Sequence, residues 1–193
     1  MSLIPAFKIG VWNAWILLLF IPLHPLIMML IDKLVGTGDM FKKTGGAPAY
    51  NKIEHIIHIF ASYVLFFGLF IYSIFLPLQL GTAWFYVGLA LCVLGVVTWT
   101  IAIVNVAEIP LGGLWNKGLY RYSRHPMYFG LFLTLIGAGI ASASWFFLLF
   151  SIVYIILCAI FVSAEERFCL DKFGTPYREY MNRTPRWIGL PKS

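Results

Sequence analysis

Residues 126–164 read PMYFGLFLTLIGAGIASASWFFLLFSIVYIILCAIFVSA, a stretch without one charged side chain. At its middle, Ser142-Ala143-Ser144 is short and uncharged and reads as a tight turn. The two legs, Pro126 to near Ala143 and about Trp145 to Ala164, each approach the roughly 20 apolar residues that a helix needs to cross a ~30 Å hydrocarbon core. The stretch therefore predicts two membrane spans in a hairpin. Working outward, the same ruler gives three more: about Val11 to Val35, about Ile53 to Leu78 and about Ala83 to Ala107. Pro22 and Pro25 are expected to kink the first. The expected fold class is all-α: a polytopic transmembrane protein of about five spans with a cytoplasmic C-terminal helical segment.

Composition points the same way. Hydrophobic residues make up 61% of the 193 residues and charged residues 11%, against about 25% charge in soluble domains. A surplus of this size cannot be hidden in one soluble core, so the solvent is lipid. The length suits a single membrane domain, 1–193, and leaves no room for a separate soluble catalytic domain. Cys92, Cys158 and Cys169 form no C-x-x-C pair and read as small buried hydrophobes. The apolar run near the N-terminus is longer than a signal-peptide core, and the last four residues are no lipidation box. Gly36-Thr37-Gly38 and Thr44-Gly45-Gly46 follow no strand, so they read as flexible loops rather than phosphate cradles.

Charge is one-sided. Of the 14 basic residues, all but Lys8 flank or fall in the loop after span one, the loop after span three, or the tail. By the positive-inside rule that side is cytoplasmic, giving N-terminus out and C-terminus in. All eight acidic residues lie there too. The net charge of +6 suits anionic lipid headgroups, and nothing calls for nucleic acid. The sequence is silent on oligomeric state.

Polar chemistry gathers in three places. In Gly118-Leu119-Tyr120-Arg121-Tyr122-Ser123-Arg124-His125-Pro126-Met127-Tyr128-Phe129-Gly130, Pro126 suits the first turn of a helix and biases His125 towards an extended backbone. Arg121, Arg124 and His125 then cluster at a helix N-terminus, where exposed N–H groups favour an anion. Tyr120, Tyr122 and Tyr128 add aromatic faces that can hold a cation. Basic and aromatic side chains at a membrane boundary are also ordinary anchors. The second place is Glu165-Glu166-Arg167. The hairpin returns the chain to the depth of His125 at about this point, since each leg rises 1.5 Å per residue. One carboxylate could hold ligand hydroxyls and the other orient an arginine. The alternative is a solvated helix end paired with arginines. The third is Phe173-Gly174-Thr175-Pro176-Tyr177-Arg178-Glu179-Tyr180. Gly174 should end one helix, with Thr175 as cap and Pro176 in the first turn of the next. Tyr177 and Tyr180 share a face, and the segment could fold back as a lid. Arg183 and Arg186-Trp187 read as interfacial anchors or headgroup contacts.

These features resemble the isoprenylcysteine carboxyl methyltransferase and phospholipid methyltransferase superfamily of membrane enzymes over about the last 75 residues. The carrying pattern is Gly118-x-Tyr120-x-x-x-Arg124-His125-Pro126-x-Tyr128-x-Gly130, then Glu165-Glu166, then Phe173-Gly174-x-x-Tyr177-x-x-Tyr180. The resemblance divides the chain into variable N-terminal spans, about 1–107, and a cofactor region, about 108–193. It implies S-adenosyl-L-methionine as methyl donor and a lipid or lipophilic acceptor, which could be an isoprenylcysteine carboxylate, a phospholipid amine or a thiol. By the same analogy His125, Tyr128, Glu165, Glu166, Tyr120 and Arg124 are candidate cofactor contacts. Arg124, Arg121 and Glu108 are candidate catalytic residues holding the acceptor's polar group. Candidate substrate contacts are Asn105, His55, Trp115 and Tyr177.

Some polar residues keep two readings. His55 and His58, at spacing i, i+3, could hydrogen-bond at the membrane boundary or reach a substrate; no metal site is expected. Asn105 and Glu108 could simply close a helix. His24, between prolines, could satisfy kinked backbone groups. The rival functions are an NADPH-dependent membrane reductase of the sterol type, for which the chain is short, and a non-enzymatic lipid-binding protein.

Overall fold

The computed structural model describes residues 8–35, 40–44, 48 and 50–191. Among them the regular backbone is helical, and the one strand-like pairing is an isolated bridge, Asn13 with Pro77. Two single 3₁₀ turns, Ala14–Leu18 and Gly118–Arg121, and a π-helical turn, Phe60–Leu65, interrupt eight α-helices. These are α1 (Phe20–Val35), α2 (Met40–Thr44), α3 (Lys52–Ile59), α4 (Phe66–Ser73), α5 (Ala83–Ala107), α6 (Pro126–Ala141), α7 (Trp145–Phe173) and α8 (Thr175–Arg183). The two glycine-rich stretches fall largely outside the described residues.

Among the described residues four helical runs are long and apolar enough to cross a membrane: Ala14–Val35, Lys52–Ser73, Ala83–Ala107 and Trp145–Phe173. The fifth, α6, is apolar but shorter. Its 16 residues reach only ~24 Å at 1.5 Å per residue, short of a ~30 Å core. Conversely α7 does not stop at Ala164 but runs 29 residues to Phe173, about 44 Å, so its charged last third continues the same rod. The second span ends at Ser73, five residues before the expected Leu78. Pro77 lacks an N–H and disfavours helix in the residue before it. Large side chains such as Val87, Leu94, Ile152 and Ile156 stand about half exposed, as fits a protein whose solvent is lipid. The protein is an integral membrane protein.

The chain forms two compact units. The first comprises residues 1–21, 50–96 and 131–163. Within it Asn13, 3% exposed, donates to the Ile74 carbonyl at 2.7 Å. The Ala14 N–H donates to Leu76 O at 2.8 Å and the Leu78 N–H to Trp12 O at 3.0 Å. The N-terminal turn thus satisfies backbone groups left open where the helix before Pro77 stops. α5 and α6 touch backbone to backbone: a Cβ on Gly88 would sit 2.4 Å from Gly137 O and Ala141 N. Asn51 and Glu54 cap the start of α3 reciprocally, at 2.9 and 3.0 Å. His58 stacks on Tyr50 with ring centroids 4.8 Å apart and meets Phe161 edge-on at 5.3 Å. Cys92 and Cys158 are buried, as expected of small hydrophobes, whereas Cys169 is only partly buried.

The second unit comprises residues 22–49, 97–130 and 164–193. Here the His24 ring meets Trp99 edge-on at 5.1 Å. Lys43 Nζ donates to Ala107 O at 2.8 Å, placing a cation on the negative end of the α5 dipole.

Candidate active site

All three polar places found in the sequence lie in the second unit. The site is built on a turn. Gly118 adopts φ +58°, and a Cβ there would lie 2.1 Å from Asn105 Oδ1. The glycine lets that oxygen approach and accept the Leu119 N–H at 2.9 Å. The 3₁₀ turn Gly118–Arg121 then carries the chain to Ser123, whose hydroxyl accepts the His125 N–H at 3.1 Å. The His125 carbonyl accepts from Phe129 N–H at 3.1 Å and opens α6, with Pro126 in the first turn as expected.

On α7, Glu165 and Glu166 meet this turn. Tyr128 donates its phenol to Glu165 Oε1 at 2.6 Å. His125 stands between the two carboxylates: Nε2 is 3.2 Å from Glu166 Oε1 and Nδ1 is 3.8 Å from Glu165 Oε2. The hairpin does return the chain to the depth of His125. Glu166 is 3% exposed. Arg124 Nε lies 2.9 Å from Glu166 Oε1. Its N–H is not directed along that line, so the contact is a close ion pair rather than a directed hydrogen bond. Arg186 donates from Nε to Glu166 Oε1 at 3.2 Å and from its terminal nitrogen to Oε2, the two-pronged geometry a guanidinium suits. A lone buried carboxylate would be costly. Glu166 is matched by two guanidiniums and an imidazole.

Arg186 is the participant that sequence reasoning missed. The sequence reads it as an interfacial anchor or headgroup contact, but residues 184–189 instead lie along 122–124. Arg124 N–H donates to Pro185 O at 3.0 Å and Gly189 N–H to Tyr122 O at 3.0 Å. Ser123 Oγ reaches Arg186 O at 3.4 Å, and Arg124 donates to Met181 O at 3.0 Å. Trp187 comes within 6.2 Å of the His125 ring. Gly174, at φ +59°, reverses the chain between α7 and α8. Gly174 itself occupies the cap position and Thr175 is already helical, one residue off the expected register. The segment that covers the turn is therefore 184–189, while α8 buries Tyr177 and Tyr180.

Tyr180 donates to Tyr120 O at 2.7 Å. Burial pushes the phenols of Tyr120, Tyr177 and Tyr180 up from their ordinary range, so all three stay neutral at physiological pH. The Trp115 ring meets Tyr120 edge-on at 5.8 Å. The remaining sequence candidates fall elsewhere. Arg121 and Glu108 are exposed. Asn105 is committed to the Leu119 N–H. His55 belongs to the first unit, 6.4 Å from the Tyr50 ring.

Comparison with known proteins finds a family pattern that overlaps this region in part. The phospholipid methyltransferase family pattern matches residues 83–176, beginning upstream of the region expected from the sequence motifs. Methanethiol S-methyltransferase 1 of Bradyrhizobium diazoefficiens is 37% identical over 75 residues, 39% of this chain and 26% of that protein. Protein-S-isoprenylcysteine O-methyltransferase of Schizosaccharomyces pombe is 32% identical over 78 residues, 40% of this chain and 33% of that protein. The similarity thus spans about a quarter to a third of the length of these curated relatives. The matched pattern and both relatives are methyltransferases by name, and it is to these that the chain is similar.

Proposed function

We propose that this protein is an S-adenosylmethionine-dependent methyltransferase acting on a lipophilic acceptor at the cytoplasmic face of a membrane. The observation that carries the reading is the meeting of His125 and Tyr128 with Glu165 and Glu166, about two turns before the end of α7. The residues present fit the cofactor. They offer cationic groups for a carboxylate, carboxylate and phenol groups for ribose hydroxyls, and aromatic faces for a sulfonium. A buried phenol hydroxyl, that of Tyr120, has no partner among the described residues. His125, Tyr128, Glu165 and Glu166 are assigned as the holding residues. When bound, the cofactor supplies an electrophilic methyl group on sulfur.

The chain's own residues do the positioning. Arg186 and Arg124 fix Glu166, Glu166 and Glu165 fix the His125 ring, and Glu165 fixes the Tyr128 phenol. Orientation of this kind is the main source of rate in a displacement between two bound reactants. Arg124 acts here as a positioning residue, because its guanidinium already faces Glu166 and Met181 O. Exposed Arg121 and Glu108 are better placed to meet the acceptor's headgroup than to act at the reacting atoms. A thiolate or carboxylate acceptor needs no general base, whereas an amine must first lose a proton. One-sided charge supports N-terminus out and C-terminus in.

The test is to incubate purified protein with methyl-labelled cofactor and a membrane extract, then identify the labelled product. A labelled lipid or lipophilic thiol is expected, and it should vanish with Glu166→Gln. Absence of any labelled product from extracts of diverse membranes would reject the assignment.

A further inference from the structure

The segment after α8 has two sides. Inward, Thr184 is buried, Arg186 donates to Glu166, and the Trp187 ring comes within 6.2 Å of the His125 ring. Outward stand Ile188, 62% exposed, and Leu190, 84% exposed. Between them the Gly189 N–H donates to Tyr122 O at 3.0 Å, which brings Tyr122, 46% exposed, alongside. Single exposed apolar residues need no explanation. Three gathered outside the apolar helices mark a surface that something covers.

Two observations name the cover. The first is depth. Tyr122 stands four residues before Pro126, where the apolar helix α6 opens, so the patch lies where the chain enters the membrane. The second is charge. Arg121 and Arg183, close by in sequence, are exposed. From Lys117 to Gly130 there is no acidic residue, and after Gly174 the only one is Glu179. Apolar and aromatic side chains fringed by arginines suit an anionic membrane surface. The first enter the boundary between headgroups and acyl chains, and the guanidiniums meet phosphates. A second copy of the chain would bring like charge to the same patch. Only two residues separate Ile188 from Arg186, about 7 Å of chain at most, so what holds one restrains the other. We propose that Tyr122, Ile188 and Leu190 dip into the headgroup layer of an anionic membrane, and that this docking holds Arg186 against Glu166. The segment 184–190 then reports the charge of the surrounding lipid to the Glu166 cluster. The docking stands without the methyltransferase reading, and its consequence for cofactor affinity rests on it.

The test uses the full chain, one copy per nanodisc, in phosphatidylcholine alone or mixed with phosphatidylglycerol. A nitroxide is attached at Leu190→Cys in a Cys169→Ser background, since Cys92 and Cys158 are buried. In the anionic discs the label should collide more with oxygen and less with a water-soluble nickel chelate than in the neutral ones. Tryptic cleavage after Arg186 in wild type should be slower there by about three- to tenfold, the scale of one arginine's attraction to a charged surface. The variant Ile188→Asn/Leu190→Asn changes only exposed positions and should abolish that difference. A label equally open to water in both lipids would overturn the proposal. So would a double variant protected like wild type. Protection seen only in discs with two copies would assign the patch to a second copy and overturn it too. Wild type should also bind S-adenosylhomocysteine more tightly in anionic discs by a similar factor, and the double variant should not. Equal affinity of wild type in both lipids would overturn the link from docking to Arg186. If wild type binds no S-adenosylhomocysteine in either lipid, the methyltransferase reading falls, while the label and trypsin still decide the docking.

Discussion

The two units of this protein hold themselves together by opposite means. In the first, α5 and α6 meet through Gly88 and Gly137, close enough that neither position has space for a Cβ. Cys92 Sγ adds only a weak contact to Thr134 O at 3.4 Å. In lipid there is little hydrophobic drive between helices, and close packing through small residues replaces it. In the second unit the organising element is a buried carboxylate, Glu166, matched by Arg124, His125 and Arg186. The first arrangement tolerates no extra volume. The second tolerates no loss of charge. The difference teaches where function can reside: steric packing offers a ligand nothing to recognise, whereas a charged cluster does.

Substitutions can break that contrast, and the largest effect is expected at the cluster. Glu166→Gln leaves two guanidiniums facing a neutral amide. Removing one partner of a buried ion pair costs about 3–5 kcal/mol, and the half-exposed Arg186 places this case near the lower figure. Melting of the detergent-solubilised variant should fall clearly, and S-adenosylhomocysteine binding should weaken at least about tenfold, the equivalent of ~1.4 kcal/mol. A variant that melts and binds like wild type would remove the cluster from both fold and function. Next comes Gly88→Ala, whose added methyl would meet the Gly137 and Ala141 backbones. Overpacking of this kind costs about 1–3 kcal/mol. Thermal melting should register the loss while the folded fraction binds S-adenosylhomocysteine normally. Equal damage to binding would erase the contrast between the regions.

Smaller effects sharpen it. Gly118→Ala forces a left-handed backbone and a clash with Asn105, at about 1–2 kcal/mol. Because it shifts the turn that carries Tyr120, it should weaken ligand affinity more than Gly88→Ala does, as calorimetry on the two variants would show. The smallest effect is expected from Arg121→Ala. Arg121 is exposed, and such surface changes usually stay within about 0.5 kcal/mol. A large loss of cofactor affinity there would mean that Arg121 belongs to the holding residues.

The spans were legible because lipid imposes a length and a polarity on each helix. The third, Ala83–Ala107, agrees with the sequence reading at both ends. The charged end of α7 was harder, since a run of apolar residues marks the membrane-crossing part of a helix and not where its hydrogen bonds stop. The meeting of His125 with the glutamates was legible from the hairpin alone, because equal legs return to equal depth. Arg186 was not. It acts 20 residues after Glu166, beyond the reversal at Gly174 and the whole of α8. No periodicity links it to its partner, and an Arg-Trp pair near a membrane looks like an anchor. Arg121 misled for the converse reason: it is next to the cluster in sequence, yet the 3₁₀ turn leaves it in the open while Tyr120 goes inward. A helix-end asparagine such as Asn105 gives no hint that it latches a loop 14 residues on.

The central claim is that the Glu166 cluster organises a cofactor site. Isothermal titration of the detergent-purified protein with S-adenosylhomocysteine, run beside the Glu166→Gln variant, tests it most directly. The account predicts saturable, one-to-one binding to wild type and a clear loss in the variant. No binding to wild type at millimolar ligand, or equal binding by both proteins, would contradict it.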